Sequence, residues 1–179
     1  MKTVIKSVIG TLVVLVVLGI AYIYSGLFDV AATSKDSGLI HWAFSTTRDR
    51  SIESRGEDIQ VPAGMKLDDP KTIQTGFDHY NEMCVACHGA PGEQPGELRA
   101  GLNPKPPLLY KFKDEDPAGE VFWIIKHGIK MTAMPGWGPT HSDDKIWALV
   151  AFVKQLHNIT PEQYQAMKKK AGKSDHDHD

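Results

Sequence analysis

Residues 76–89 read GFDHYNEMCVACHG, and inside that run Cys84-Val85-Ala86-Cys87-His88 holds both cysteines of the chain. The spacing sets the two thiols about one helical turn apart, with a histidine directly after the second. The residues upstream supply the helix on which this geometry depends. Asp69-Pro70 is a helix start, because the carboxylate can accept from free backbone N–H groups and proline is tolerated at the first helical position. Ile73, Gly76, Phe77, Tyr80 and Cys84 then recur at three- and four-residue intervals, which predicts one buried face on a helix reaching Asn81 or Cys84.

Downstream the pattern is again helical, with long interruptions. Residues 89–118 are rich in Gly and Pro and read as loop. PAGEVFWIIKHG, with Pro117 near its start and Gly128 past its end, predicts a second helix. Pro135, Gly136, Gly138 and Pro139 break the helical pattern in IKMTAMPGWGPT. Ser142 or Asp143 can then cap a third helix, on which Ile146, Leu149, Val150, Val153 and Leu156 form an apolar stripe. No strand pattern or internal repeat is present, so the expected fold class is all-α.

In this setting CVACH is a covalent haem-attachment motif. Two thiols on one turn can add to the two vinyl groups of one porphyrin edge, and the next residue is held where an imidazole nitrogen can ligate the iron. Competing chemistries lack parts. Zinc needs a fourth ligand and a matched second pair, a redox dithiol needs a βαβ context, and a plain disulfide leaves His88 without a task. The 20 basic and 22 acidic residues give a net charge of −2, and no basic run is interleaved with aromatics, so nucleic acid is not an expected partner.

The amino terminus adds a second theme. Ser7 to Tyr24 is an uncharged run of 18 residues, close to the roughly 20 that cross a bilayer as a helix. Lys2 and Lys6 precede it, which sets the amino terminus in the cytoplasm and the rest of the chain outside. A cleaved signal peptide is the competing reading, with VAAT at 30–33 suited to cleavage. The length of the run and the aromatic Tyr22 and Tyr24 at its end favour an uncleaved anchor. The expected organisation is an anchor at 1–25, a linker at 26–67, a folded domain at 68–165 and a charged, disordered tail at 166–179. Within the linker, Leu39, Ile40, Ala43, Phe44 and Ile52 suggest an amphipathic helix, either a spacer covering the domain or a helix lying on the membrane through Trp42. The tail ends in alternating Asp and His, which either solubilise it or bind copper or nickel weakly.

A haem iron bound to His88 needs a sixth ligand or keeps an open position. The downstream candidates are Met131, Met134 and Met167, with His127, His141 and His157. Met134 is preferred, because it precedes a proline in an extended Gly/Pro segment able to cross the open face of a flat cofactor, and a thioether raises the potential. Met131 is its local rival.

GFDHYNEMCVACHG resembles the first helix and haem motif of class I c-type cytochromes. GIKMTAMPGWG resembles their methionine loop, and LVAFVKQL, with Leu149 and Phe152, their C-terminal helix. The likeness covers roughly 70–158. It implies a cytochrome c fold with about three main helices around one haem c, thioethers at Cys84 and Cys87, His88 as proximal and Met134 as distal ligand, and a helix crossing at Gly76. It further implies a proline–leucine pair supporting the histidine, assigned to Pro107-Leu108, with a nearby backbone carbonyl accepting from His88.

With the anchor, the chain resembles bacterial membrane-bound cytochromes. The expected protein is a single-pass inner-membrane electron carrier, not an enzyme, with its domain in the periplasm. Its expected partners are a terminal oxidase, a quinol-oxidising complex or a periplasmic dehydrogenase. The alternative is a haem enzyme or gas-binding protein in which Met134 is displaced. Lys105, Lys111, Lys113, Lys126 and Lys130 are candidates to rim a haem edge, interrupted by Asp114, Glu115, Asp116 and Glu120.

Overall fold

The computed structural model describes residues 1–113 and 115–174, with side chains in its last helix described to Ala171. The Asp/His alternation from Asp175 lies outside the described residues. Two compact units are present, Met1–Lys35 and a second beginning at Asp36. The first is built on α1, Lys2–Tyr24, whose mean hydropathy of 2.5 and 23-residue length are enough to cross a bilayer.

In the second unit, α3 spans Pro70–Met83, and the Asp69 carboxylate accepts from the Thr72 amide at 2.9 Å. It buries Gly76, Phe77 and Tyr80. α6, Asp143–Gln155, opens with Asp143 and Asp144 against the positive end of its dipole. Every residue from Ile146 to Val153 is buried, so α6 is enclosed on all sides and is the centre of the domain. The two helices cross at Gly76, where an added Cβ would lie 1.9 Å from the Ala148 carbonyl oxygen. That contact lets Phe77 and Tyr80 set their rings edge-on and tilted to Phe152, at 5.6 and 5.2 Å between centroids.

α5, Ala118–His127, joins this pair by stacking Phe122 on Trp147 at 4.3 Å. α2, Gly38–Gly56, is capped by the Ser37 side chain and buries Ile52 and Gly56. Gly56 and Gly119 allow backbone to meet backbone between α2 and α5: a Cβ at 56 would sit 2.6 Å from the Glu120 Cα, and one at 119 would sit 2.4 Å from the Gly56 oxygen. The compact unit thus starts well before the boundary expected at residue 68. At the other end of α2, Leu39, Trp42 and Phe44 are exposed.

α7, Pro161–Ser174, occupies much of the segment expected to be a disordered tail. Tyr164, Met167 and Ala171 fall on one face and pack on the core, with Tyr164 fully buried. Among the described residues there are no strands; the one isolated bridge joins Ala90 and Glu93.

Candidate haem site

CVACH folds as one further helical turn after α3. The Cys84 amide donates to the Tyr80 oxygen at 2.9 Å, and the Cys87 and His88 amides donate back to the Cys84 oxygen at 3.1 and 2.9 Å. Val85–His88 forms the short α4, closed by Gly89 at φ 66°. A side chain at Gly89 would also meet the Tyr110 ring at 3.0 Å, so glycine is required twice over. The buried Tyr80 hydroxyl donates to the Gly89 oxygen at 2.7 Å, tying the end of the motif to the middle of α3.

His88 is oriented from the other side. Its Nδ1 lies 2.8 Å from the Pro107 carbonyl oxygen, which can only accept, so Nδ1 carries the proton and Nε2 keeps its lone pair. The carbonyl expected near Pro107-Leu108 is that of Pro107 itself. Burial lowers the His88 pKa, with Arg99 adding to the effect and the Pro107 bond opposing it, so the neutral imidazole is favoured. Arg99 in turn braces the same segment, its Nε donating to the Pro106 oxygen at 3.0 Å. Both cysteines are free and half-buried, and burial, with a smaller contribution from Cys87, pushes the Cys84 thiol up to about 12.

Met134 comes from the loop between α5 and α6, which folds back on the end of α5. The Trp137 and Gly138 amides donate to the Ile125 and Lys126 oxygens at 3.0 and 2.9 Å. The Met134 oxygen accepts from the Ile129 amide at 3.1 Å, and its own amide donates to the Thr132 hydroxyl at 3.1 Å. Its backbone is thus held on both sides and its side chain is half-buried. Met131 has φ 59° and is 76% exposed. The two methionines thus differ in exposure, Met134 half-buried and Met131 open to solvent.

Two features, an unpaired hydroxyl and a column of rings, carried no separable sequence signal. Tyr110 keeps a buried hydroxyl without a hydrogen-bond partner beside Gly89. Such a group costs roughly 1–3 kcal/mol unless an acceptor reaches it. Trp137, His141 and His79 form a column of edge-on rings at 5.4 and 5.5 Å, linking the methionine loop to α3. Among the lysines, Lys126 pairs with Asp143 at 2.7 Å and Lys113 with Glu115 at 3.8 Å, giving a surface of mixed charge.

The residues present fit a haem. They comprise two thiols on one turn, an imidazole aligned by a carbonyl, a backbone-fixed thioether segment and a buried hydroxyl lacking an acceptor. An all-helical unit with this turn between its first and last core helices is a c-type cytochrome domain, the class that binds haem c and transfers electrons.

Comparison with known proteins gives the relationship within that class. Residues 71–153, a little under half of the chain, match the family described as cytochrome c oxidase, cbb3-type, subunit III, and this part of the protein is a cytochrome c domain. None of the curated proteins compared with the chain matches it. Among solved structures, a chain of the reducing HAO-like protein complex of Kuenenia stuttgartiensis is similar at 24% identity, with a TM-score of 0.43. The match covers 56% of this chain and 52% of that one, so the chain spans about half the length of that neighbour.

Proposed function

We propose that the protein is a membrane-anchored electron carrier with one covalently held haem c, working at the periplasmic face of a bacterial inner membrane. The observation that carries this reading is the 2.8 Å contact from His88 Nδ1 to the Pro107 oxygen, which leaves Nε2 free as a ligand. Cys84 and Cys87 would hold the haem through thioether links, and His88 and Met134 would ligate its iron. A haem with both axial positions filled exchanges single electrons with little rearrangement. The chain's part is to hold the two ligands and keep water out. Pro107 fixes the imidazole, Thr132 and Ile129 fix the Met134 backbone, and Phe77, Tyr80 and Phe152 close the core behind the motif.

α1 serves as the anchor, and tethering raises the carrier's effective concentration near membrane complexes. The partners that fit are a terminal oxidase, a quinol-oxidising complex or a periplasmic dehydrogenase. The test is expression of the full chain in a host that matures c-type cytochromes, followed by fractionation and haem staining after denaturing electrophoresis. The stain should run with the polypeptide in the membrane fraction, and Cys84→Ser with Cys87→Ser should remove it. Haem that separates from the wild-type chain on denaturation would overturn the covalent assignment. Wild-type protein in the soluble periplasmic fraction would overturn the anchor.

A further inference from the structure

α7 lies beyond the residues that match the cytochrome family, yet it grips the turn that follows His88. That turn runs from Ala90 to Glu93, whose amides and carbonyls bond reciprocally at 2.9 Å, with Pro91 and Gly92 at the corner. Gly92 has φ 77°, which favours glycine after proline in a tight turn. Pro161 of α7 packs on this corner, so that a Cβ at Gly92 would meet the Pro161 Cβ at 3.0 Å. Gln165 and Lys168 then donate to the same Glu93 oxygen, at 2.8 and 2.7 Å.

Pro161, Gln165 and Lys168 sit at i, i+4 and i+7, so one face of α7 makes all three contacts. The neighbouring Tyr164 fastens the helix to α3. Its ring meets Phe77 edge-on at 5.2 Å, and its hydroxyl donates to the Asn81 side-chain oxygen at 3.1 Å. A single helix therefore bridges the two flanks of CVACH, α3 before it and the Ala90–Glu93 turn after it. Glu93 is only 20% exposed at its side chain, where a charged hydrogen bond is screened less than on an open surface. Burial works against its charge, but the bonds from Lys168 and Gln165 outweigh it and keep the carboxyl below its usual range.

We infer that α7 is the positioning element of the haem-attachment turn, with Glu93, Gln165 and Lys168 as its positioning residues. α7 holds Glu93, Glu93 holds the turn, and the turn with Tyr80 fixes Gly89 and hence the direction in which His88 leaves the motif. This rests on the reading of His88 as an iron ligand. The rival role for α7 is general stabilisation through Tyr164, and the two predict different residues to respond.

The test is native-state amide exchange and NMR on the haem-loaded full chain in detergent micelles. Lys168→Met and Glu93→Gln each weaken a charge-assisted hydrogen bond, so exchange at the Ala90 and Glu93 amides should rise about tenfold. Leu149 and Val150 in α6 should be unchanged, and Lys168→Arg should keep the wild-type pattern. In the oxidised chain the paramagnetic shifts of the His88 ring protons should move in Lys168→Met and not in Lys168→Arg. Unchanged exchange at Ala90 and Glu93, or an equal rise throughout α6, would overturn the positioning role. Absence of paramagnetically shifted His88 protons in the wild type would instead sink the ligand assignment, and the exchange data would still decide whether α7 holds the turn.

Discussion

Replacing Gly76 with alanine tests the packing on which the site is built. The new Cβ would stand 1.9 Å from the Ala148 oxygen, 2.6 Å from its carbonyl carbon and 2.8 Å from the Phe152 Cβ. A carbon settles no closer than about 3.3 Å to a carbonyl oxygen, so the overlap is about 1.4 Å. The obstacle is main chain in the middle of α6, and no rotamer change relieves it. α3 and α6 must separate along a seam containing Phe77, Tyr80, Leu149 and Phe152, each at 0% exposure. A gap of 0.5–1 Å already forfeits about a quarter to a half of each dispersion contact there. Overpacking alone costs about 1–3 kcal/mol, and with a rigid obstacle at least about 3 kcal/mol is expected. The thermal midpoint should fall by at least about 10 °C in far-UV circular dichroism. Gly101→Ala is the control, since a Cβ there meets nothing within 4 Å. A midpoint for Gly76→Ala within about 3 °C of both control and wild type would refute the crossing.

Two further perturbations address the helix start and the ring column. Asp69→Ala removes the acceptor for the Thr72 amide and should lower the urea midpoint, with Asp69→Asn recovering most of the loss. His79 has its pKa lowered by burial first, then by Lys145 and His141, against the opposing charges of Glu82 and Asp78. The folded state thus favours neutral His79. Its contribution is complete above the unfolded value near 6.5 and is lost as pH falls through the lower folded value. His79→Gln should flatten the decline in thermal midpoint between pH 7 and pH 5, and an unaltered decline would remove His79 as its source.

The helices around CVACH were readable because their signals are local. Asp69-Pro70 caps and starts α3 within four residues, and the three- and four-residue recurrence from Ile73 to Cys84 states its buried face directly. α7 is a harder case. Tyr164, Met167 and Ala171 have helical spacing, but they stand among lysines whose charge suggested a solvated tail. What holds that helix in place is Tyr164 against Phe77 and Asn81, together with an ion pair from Lys168 to Glu93, 75 positions away, and no local pattern encodes these contacts. The same holds for α2, where Gly56 matters because Glu120 lies against it.

At the site, the motif announced its own chemistry, and the choice of Pro107 rested on a proline–leucine pair. Met134 was preferred over Met131 for the proline that follows it, although both sit in one Gly/Pro segment. What was not readable is how the Met134 backbone is held, because its hydrogen bonds to Thr132 and Ile129 exist only once the loop has folded back on α5.

The most direct test of the His88/Met134 reading is optical. The oxidised full chain should show a methionine-to-iron charge-transfer band, and the reduced chain should not bind CO. Met134→Ala should abolish the band and admit CO, while Met131→Ala should leave both as in the wild type. Rapid CO binding by the native reduced protein, or loss of the band on Met131→Ala instead, would contradict Met134 as the ligand that closes the iron.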